Sequence, residues 1–136
     1  LIREENQVIL DAFESWILDK GLSNSTAQKH RENIDFYINE FLLYENPKHA
    51  YEGIDEVGMF LGYWFIRKAM WANETSIKSN ATSLKKFYDF MKERNEVDPE
   101  AVRDMKEIIK EDLPEWIATV RRYDDPSVEA EDVWQW

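Results

Sequence analysis

Between Ser76 and Arg94 the apolar residues recur with helical spacing and without a break. Ile77, Ala81, Leu84, Phe87, Tyr88 and Met91 stand at i, i+4, i+7, i+10, i+11 and i+14, one stripe down an α-helix. The other side carries Lys78, Thr82, Lys85, Lys86 and Asp89. Lys78, Lys85 and Lys92 are seven apart, which sets them in a row about 10 Å apart at about 1.5 Å rise per residue. From Thr75 to Arg94 there are five basic and two acidic residues, on a chain whose net charge is −11. A basic helix on an acidic protein is the feature the remaining chain must accommodate.

The flanking sequence reads the same way. Arg3 to Lys20 is predicted as a first helix, with Val8, Ile9, Ala12, Phe13, Trp16 and Ile17 inward and Gly21 as its C-cap glycine. Ser23 to Thr26 signals a second start, either through a Ser25–Gln28 capping box or with Ser23 as N-cap. Ala27, His30, Ile34, Tyr37, Ile38 and Phe41 then face the core, and Pro47 to Ile54 is a loop. Asp55 is placed as N-cap of a third helix running to about Trp71. That helix is apolar on two sides. Val57, Phe60, Leu61, Trp64 and Trp71 form one face, and Met59, Tyr63, Ile66 and Met70 the other. It is therefore either a central helix covered by the C-terminal helices or one with an exposed partner surface. Asp98 before Pro99 opens a fifth helix, and Pro114 is read as the start of a short sixth.

No period-two alternation is long enough for a sheet, and there are only four glycines. The expected fold is all-α, a compact bundle of five to six helices. The domain division is residues 1–97 as the helical domain and 98–136 as a helical extension with an acidic tail packed on it. That tail, with Val128, Val133, Trp134 and Trp136, reads as a docking tail or as chain packed on the domain.

Charge and composition exclude several functions. A sequence pI near 4.6 argues against tight non-specific binding of nucleic acid by the whole surface, though not by a local patch. Two histidines and no cysteine make a zinc site or thiolate chemistry an unsuitable reading, so no cofactor or metal is expected. His30, on an apolar face, reads as a satisfied core histidine. No Gly-rich phosphate loop and no nucleophile motif occurs. The most apolar stretch, Val57 to Trp71, is interrupted by Arg67 and Lys68 and is too short to span a bilayer. With no signal peptide and no cysteine, the expected location is cytoplasmic.

The order of these signals is similar to that of the N-terminal SAM-like, or core-binding, domain of phage integrases and other tyrosine recombinases. The matching residues are Phe13, Trp16 and Ile17, then Gly21-Leu22-Ser23 with Thr26, then Ile34, Phe41 and Leu42. They continue with Ser76-Ile77, the run Ser83 to Met91 (SLKKFYDFM), and Val97-Asp98-Pro99. The resemblance spans roughly residues 8 to 99. It implies one half of a clamp around DNA, with the second and fourth helices near the duplex. Carried over by position, the candidate DNA contacts are Gln28, Lys29 and Arg31 on the second helix and Lys78, Thr82, Lys85 and Lys86 on the fourth. The sequence departs from the family in the acidic outer face of the second helix, Glu32 and Asp35, and in His30, where many relatives have an aromatic residue.

A tyrosine recombinase also needs a catalytic domain with several cations around its nucleophile. The 37 residues after Pro99 hold Tyr123, Arg121 and Arg122 and no histidine, so no catalytic residue is assigned. The expectation is a non-catalytic module that binds duplex DNA weakly and salt-sensitively through its fourth helix. The alternative is a protein-interaction or dimerisation module, bound to a recombinase, another protein or its own copy through Met59, Tyr63, Ile66 and Met70.

Overall fold

The computed structural model describes residues 1–44 and 46–124. Among the described residues five helices pack around a single core and there is no strand. Helix α1 is Ile2–Asp19 and α2 is Asn24–Asp35. The latter runs on without a break into a π-helical turn, Phe36–Phe41. A 3-10 segment, Ala50–Glu56, leads into α3, built from Val57–Met59, the π-helical Phe60–Trp64 and Phe65–Lys68. Helix α4 is Glu74–Glu93 and α5 is Pro99–Asp124. The tail from Asp125 to Trp136, including the docking-tail reading, lies outside the described residues.

Helix α4 is the axis of the bundle. The stripe read from sequence is buried throughout, and Asn80, Ser83 and Phe90 join it, so α4 is covered on most of its circumference. Helix α1 covers one side through Phe13, whose ring meets Phe87 edge-on at 5.2 Å and Phe90 at 5.5 Å. Helix α2 lies antiparallel to α4, with His30 beside Ser83 and Asn33 beside Ser79. Helix α5 lies antiparallel on the other flank. Lys106 bonds Asp89 at 2.7 Å at one end, and Arg121 bonds Glu74 at the other.

The start signals are built as ordinary caps. The Ser23 hydroxyl accepts from the Thr26 N–H, so Ser23 rather than Ser25 caps α2. Gly21 has φ +92°, the left-handed turn that leaves α1. Asp98 accepts from the Glu100 N–H ahead of Pro99.

Several expectations change, and Val8 and Trp71, read as facing the core, are 65% and 57% exposed. The predicted fifth and sixth helices are one helix through Pro114. Proline lacks the N–H that would bond the Lys110 carbonyl, but Lys110 is exposed, so water can serve that oxygen. Val102, Met105 and Ile109 before it and Trp116 and Val120 after it are buried on one stripe, which holds the helix through the gap. Asp55 does not cap α3, because residues 50–56 are already wound as 3-10 turns, opened by a His49–Glu52 capping box. Finally, α4 rather than α3 is the central helix.

The two π turns face each other. Wider turns accommodate Phe36, Tyr37 and Phe41 against Phe60, Trp64 and Phe65, with centroid separations from 4.8 Å for Tyr37–Phe60 to 6.1 Å for Phe36–Phe60. Buried Tyr37 donates to the Gly53 carbonyl at 2.5 Å and buried Tyr88 to the Ala50 carbonyl at 2.9 Å, which fastens the 3-10 segment to the core. Burial pushes both phenols above their ordinary pKa, so they stay donors.

Candidate functional site

The seven candidate DNA contacts divide into two groups. Arg31 is turned inward, with its guanidinium bonding Asp11 at 2.8 Å and Glu14 at 2.9 Å on α1. The burial of the Arg31 side chain and these two carboxylates fix it as a strut between helices. Lys78 bonds Glu74 one turn earlier at 2.9 Å, and the same Glu74 takes Arg121. These two cations hold the Glu74 carboxyl below its usual pKa. Thr82 donates to its own helix at the Lys78 carbonyl, and Gln28 donates to Glu32 at 3.3 Å. Four of the seven are thus engaged within the bundle.

Lys29, Lys85 and Lys86 are the others, and among the described residues none of them bonds a carboxylate. Their placement follows from helix register. Asn33 bonds Ser79 and Ser83 across the α2–α4 seam. Lys29 lies one turn before Asn33 on the same side of α2, and Lys86 lies one turn after Ser83 on α4. Because the helices are antiparallel, Lys29 and Lys86 stand on the same stretch of that seam. The positive charge of Lys86 is felt at His30, directly below.

The same argument on the other flank uses the Lys106–Asp89 bond. One turn on from Lys106 is Lys110, and one turn back from Asp89 is Lys85, so helix register sets Lys85 and Lys110 at the same level of the antiparallel α4 and α5. Lys110 too bonds no carboxylate among the described residues. Helix register thus sets four lysines without a bonded carboxylate at neighbouring levels of α2, α4 and α5, a set called the lysine band below. Sequence reasoning missed Lys110. Its signal was its position four residues after Lys106, legible only once the α4–α5 register is known.

Beneath the band, the buried seam is polar and satisfied. The Ser83 hydroxyl accepts from the Asn33 amide at 2.9 Å and lies 2.7 Å from His30 Nδ1. With its acceptor side used, Ser83 has its own hydrogen to give to a neutral imidazole. Burial first, and then the Lys86 charge, lowers the His30 pKa, which keeps the ring neutral. His30 is a core histidine, as its position on an apolar face implied.

The face of α3 read as a partner surface is only partly exposed. Ile66 is 4% exposed and belongs to the core, because the π turn rotates it under the helix. Met59, Tyr63 and Met70 are 54%, 41% and 99% exposed. The opposite face is closed by α5. A Cβ on Gly62 would lie 2.5 Å from Trp116 Nε1, so only glycine admits that indole. Beside Met59 and Tyr63 runs a groove of about 480 Å³, walled also by Phe41, Tyr44, Trp64 and Lys68. The Lys48–Glu56 ion pair, at 2.6 Å, closes one edge.

No family model, no curated protein and no solved structure matches this chain. The likeness to recombinase core-binding domains rests on the residues quoted above. Among the described residues no helix is long and apolar enough to cross a membrane, and no cluster of three or more metal-ligating side chains occurs.

Proposed function

We propose that this chain is a non-catalytic helical module that binds duplex DNA through Lys29, Lys85, Lys86 and Lys110. The observation that carries the reading is that these four lysines bond no carboxylate among the described residues. On a protein of net charge −11, these four cations lie across three helices with no carboxylate bonded to them among the described residues. Several neighbouring cations are instead paired, as Arg31, Lys78 and Lys106 are. Lysine ammonium groups attract phosphates without reading base identity, so the contact is electrostatic and weakly selective. The resemblance to the core-binding domain of tyrosine recombinases supports the same face, since its second and fourth helices are those near DNA.

The test is fluorescence anisotropy with a labelled duplex across a salt series. Four neutralised phosphates give a log–log slope of about −3 to −4, or about a hundredfold loss between 50 and 200 mM salt. Absence of binding at the lowest salt contradicts the reading.

A second reading rests on a separate observation, the partial exposure of Met59 and Tyr63 along an aromatic groove. Exposed apolar side chains along a groove are the mark of an interaction surface. Here the module would bind a protein segment, with or without DNA. Sedimentation of wild type and Tyr63→Asp over a concentration range tests whether that segment belongs to a second copy.

A further inference from the structure

We infer that the cavity between α2 and the turn joining α3 to α4 takes one unpaired nucleobase of the bound DNA, of the kind that carries an exocyclic amine. The inference deepens the DNA-binding reading and rests on it, since Lys29 belongs both to the lysine band and to the cavity wall. The cavity has a volume of about 280 Å³. Ligand pockets run from about 300 to 1,000 Å³, so this one suits a single ring system. Its wall combines aromatic rings, amide oxygens and charged groups, and each has a part in the fit.

The first argument is the aromatic wall of Phe36, Phe65 and Trp71. The Trp71 ring meets Phe36 at 5.2 Å and Phe65 at 6.3 Å, both edge-on. Those contacts hold the indole in place, yet Trp71 stays 57% exposed. Its backbone is held as well. The Ser76 hydroxyl donates to the Trp71 carbonyl at 3.3 Å, and the Ser76 carbonyl accepts from the Asn80 amide at 2.8 Å. One residue thus fixes Trp71 and Asn80 relative to each other. An exposed indole held in this way is a stacking platform for a base.

The second argument is a set of unmet acceptors. Asn33 and Asn80 line the cavity and are only 8% and 3% exposed. The Asn33 amide donates to Ser79 and Ser83, and the Asn80 amide to the Ser76 carbonyl. The Oδ1 atoms of both have no hydrogen-bond partner among the described residues. The Glu32 carboxylate, also at the wall, accepts from Gln28 at 3.3 Å and keeps further acceptor capacity. A ligand that pairs here must therefore donate. The exocyclic amines of adenine, cytosine and guanine do so with two hydrogens on one nitrogen, and thymine has no such group. An aliphatic ammonium would satisfy the acceptors but leave the rings unused and meet the Lys29 charge. A nucleotide instead gives Lys29 a phosphate. Inside a duplex a base is stacked and paired, so the one that enters is unpaired or turned out of the helix.

The experiment uses the full chain and fluorescence anisotropy at low salt. One labelled duplex is compared in four forms: fully paired, or with a single-nucleotide bulge that is adenine, thymine or an abasic residue. The abasic bulge keeps the kink without the base. Expected is binding of the adenine bulge about tenfold tighter than the abasic one, the scale set by stacking of a single base, with thymine between them. Trp71→Ala, checked for a folded state by circular dichroism, is expected to bind the adenine and abasic bulges alike while keeping wild-type affinity for the paired duplex. Equal affinity of the wild type for the adenine and abasic bulges overturns the inference. Salt-sensitive binding to the paired duplex in that case leaves the lysine reading standing. Thymine bound as tightly as adenine overturns the part given to the Asn33 and Asn80 oxygens. An adenine preference that survives Trp71→Ala overturns the location, because the base is then read elsewhere. Absence of binding to all four forms overturns the DNA reading and this inference together.

Discussion

The lysine band and the aromatic groove are two surfaces of one bundle, and they differ in what has been left unmatched. Around the band, charge is abundant and most of it is cancelled at short range. Arg31 is held by Asp11 and Glu14, Lys78 by Glu74, and Lys106 by Asp89. Against that background Lys29, Lys85, Lys86 and Lys110 stand out by position, not by number. Around the groove Met59 is exposed, and the buried Trp64 Nε1–H has no hydrogen-bond partner among the described residues. The band is suited to a long-range, salt-screened ligand, and the groove to a short-range, desolvating one. The difference teaches that lysine count along a helix is a poor guide to an electrostatic site until the carboxylates opposite each lysine are known.

The comparison breaks first at the core shared by both regions. Phe60 lies fully buried between the π turns, against Tyr37 and Phe41. Phe60→Ala is expected to lower unfolding free energy by about 3–5 kcal/mol in a urea titration. Gly62→Ala forces the Trp116 indole off α3 and is expected to cost about 1–3 kcal/mol. A cost of that size confirms that this face of α3 is closed by α5.

A change of pH sharpens the band. The folded His30 has a lowered pKa, so its contribution is complete above its unfolded value of 6.5 and is lost as pH falls towards the folded value. His49 works in the opposite sense. Its contact with Glu5 raises its pKa, so its contribution is present below 6.5 and lost as pH rises through the folded value. The His49 pair is exposed and weak. The expected profile is therefore a net loss of thermal stability on acidification from pH 7 towards 5. His30→Gln should lower the neutral plateau and flatten that slope. An unchanged slope would mean that His30 titrates as in the unfolded chain. The smallest effect belongs to Met70→Ala. Met70 is 99% exposed, and its removal should alter stability by no more than about 0.5 kcal/mol.

Much of the fold was legible. The α4 stripe, the α1 exit at Gly21, the Ser23 cap and the Asp98–Pro99 start are local signals, and local physics decides them. The π turns were not legible, because they arise from facing rings, Phe36 and Phe41 on one segment and Phe60 and Trp64 on the other, brought together only by the fold. Pro114 was misread because a proline suits a first turn and says nothing about an upstream apolar stripe that continues through it. The candidate DNA contacts were half legible. Lysines on α4 can be read from spacing, but the spending of Arg31 on carboxylates 17 and 20 residues away cannot. Nor can the shared level of Lys85 and Lys110, which depends on the antiparallel register. Ile66 shows the same limit, since a π turn shifts the face on which a residue emerges.

The most direct measurement is duplex-DNA affinity at low salt for three proteins: wild type, Lys29→Glu/Lys85→Glu/Lys86→Glu, and Lys78→Gln/Arg31→Gln, each checked for a folded state by circular dichroism. The band account predicts at least a tenfold loss for the first variant, by removal of phosphate contacts, and less than a threefold change for the second. Equal losses in both variants, or wild-type binding retained by the first, would contradict it.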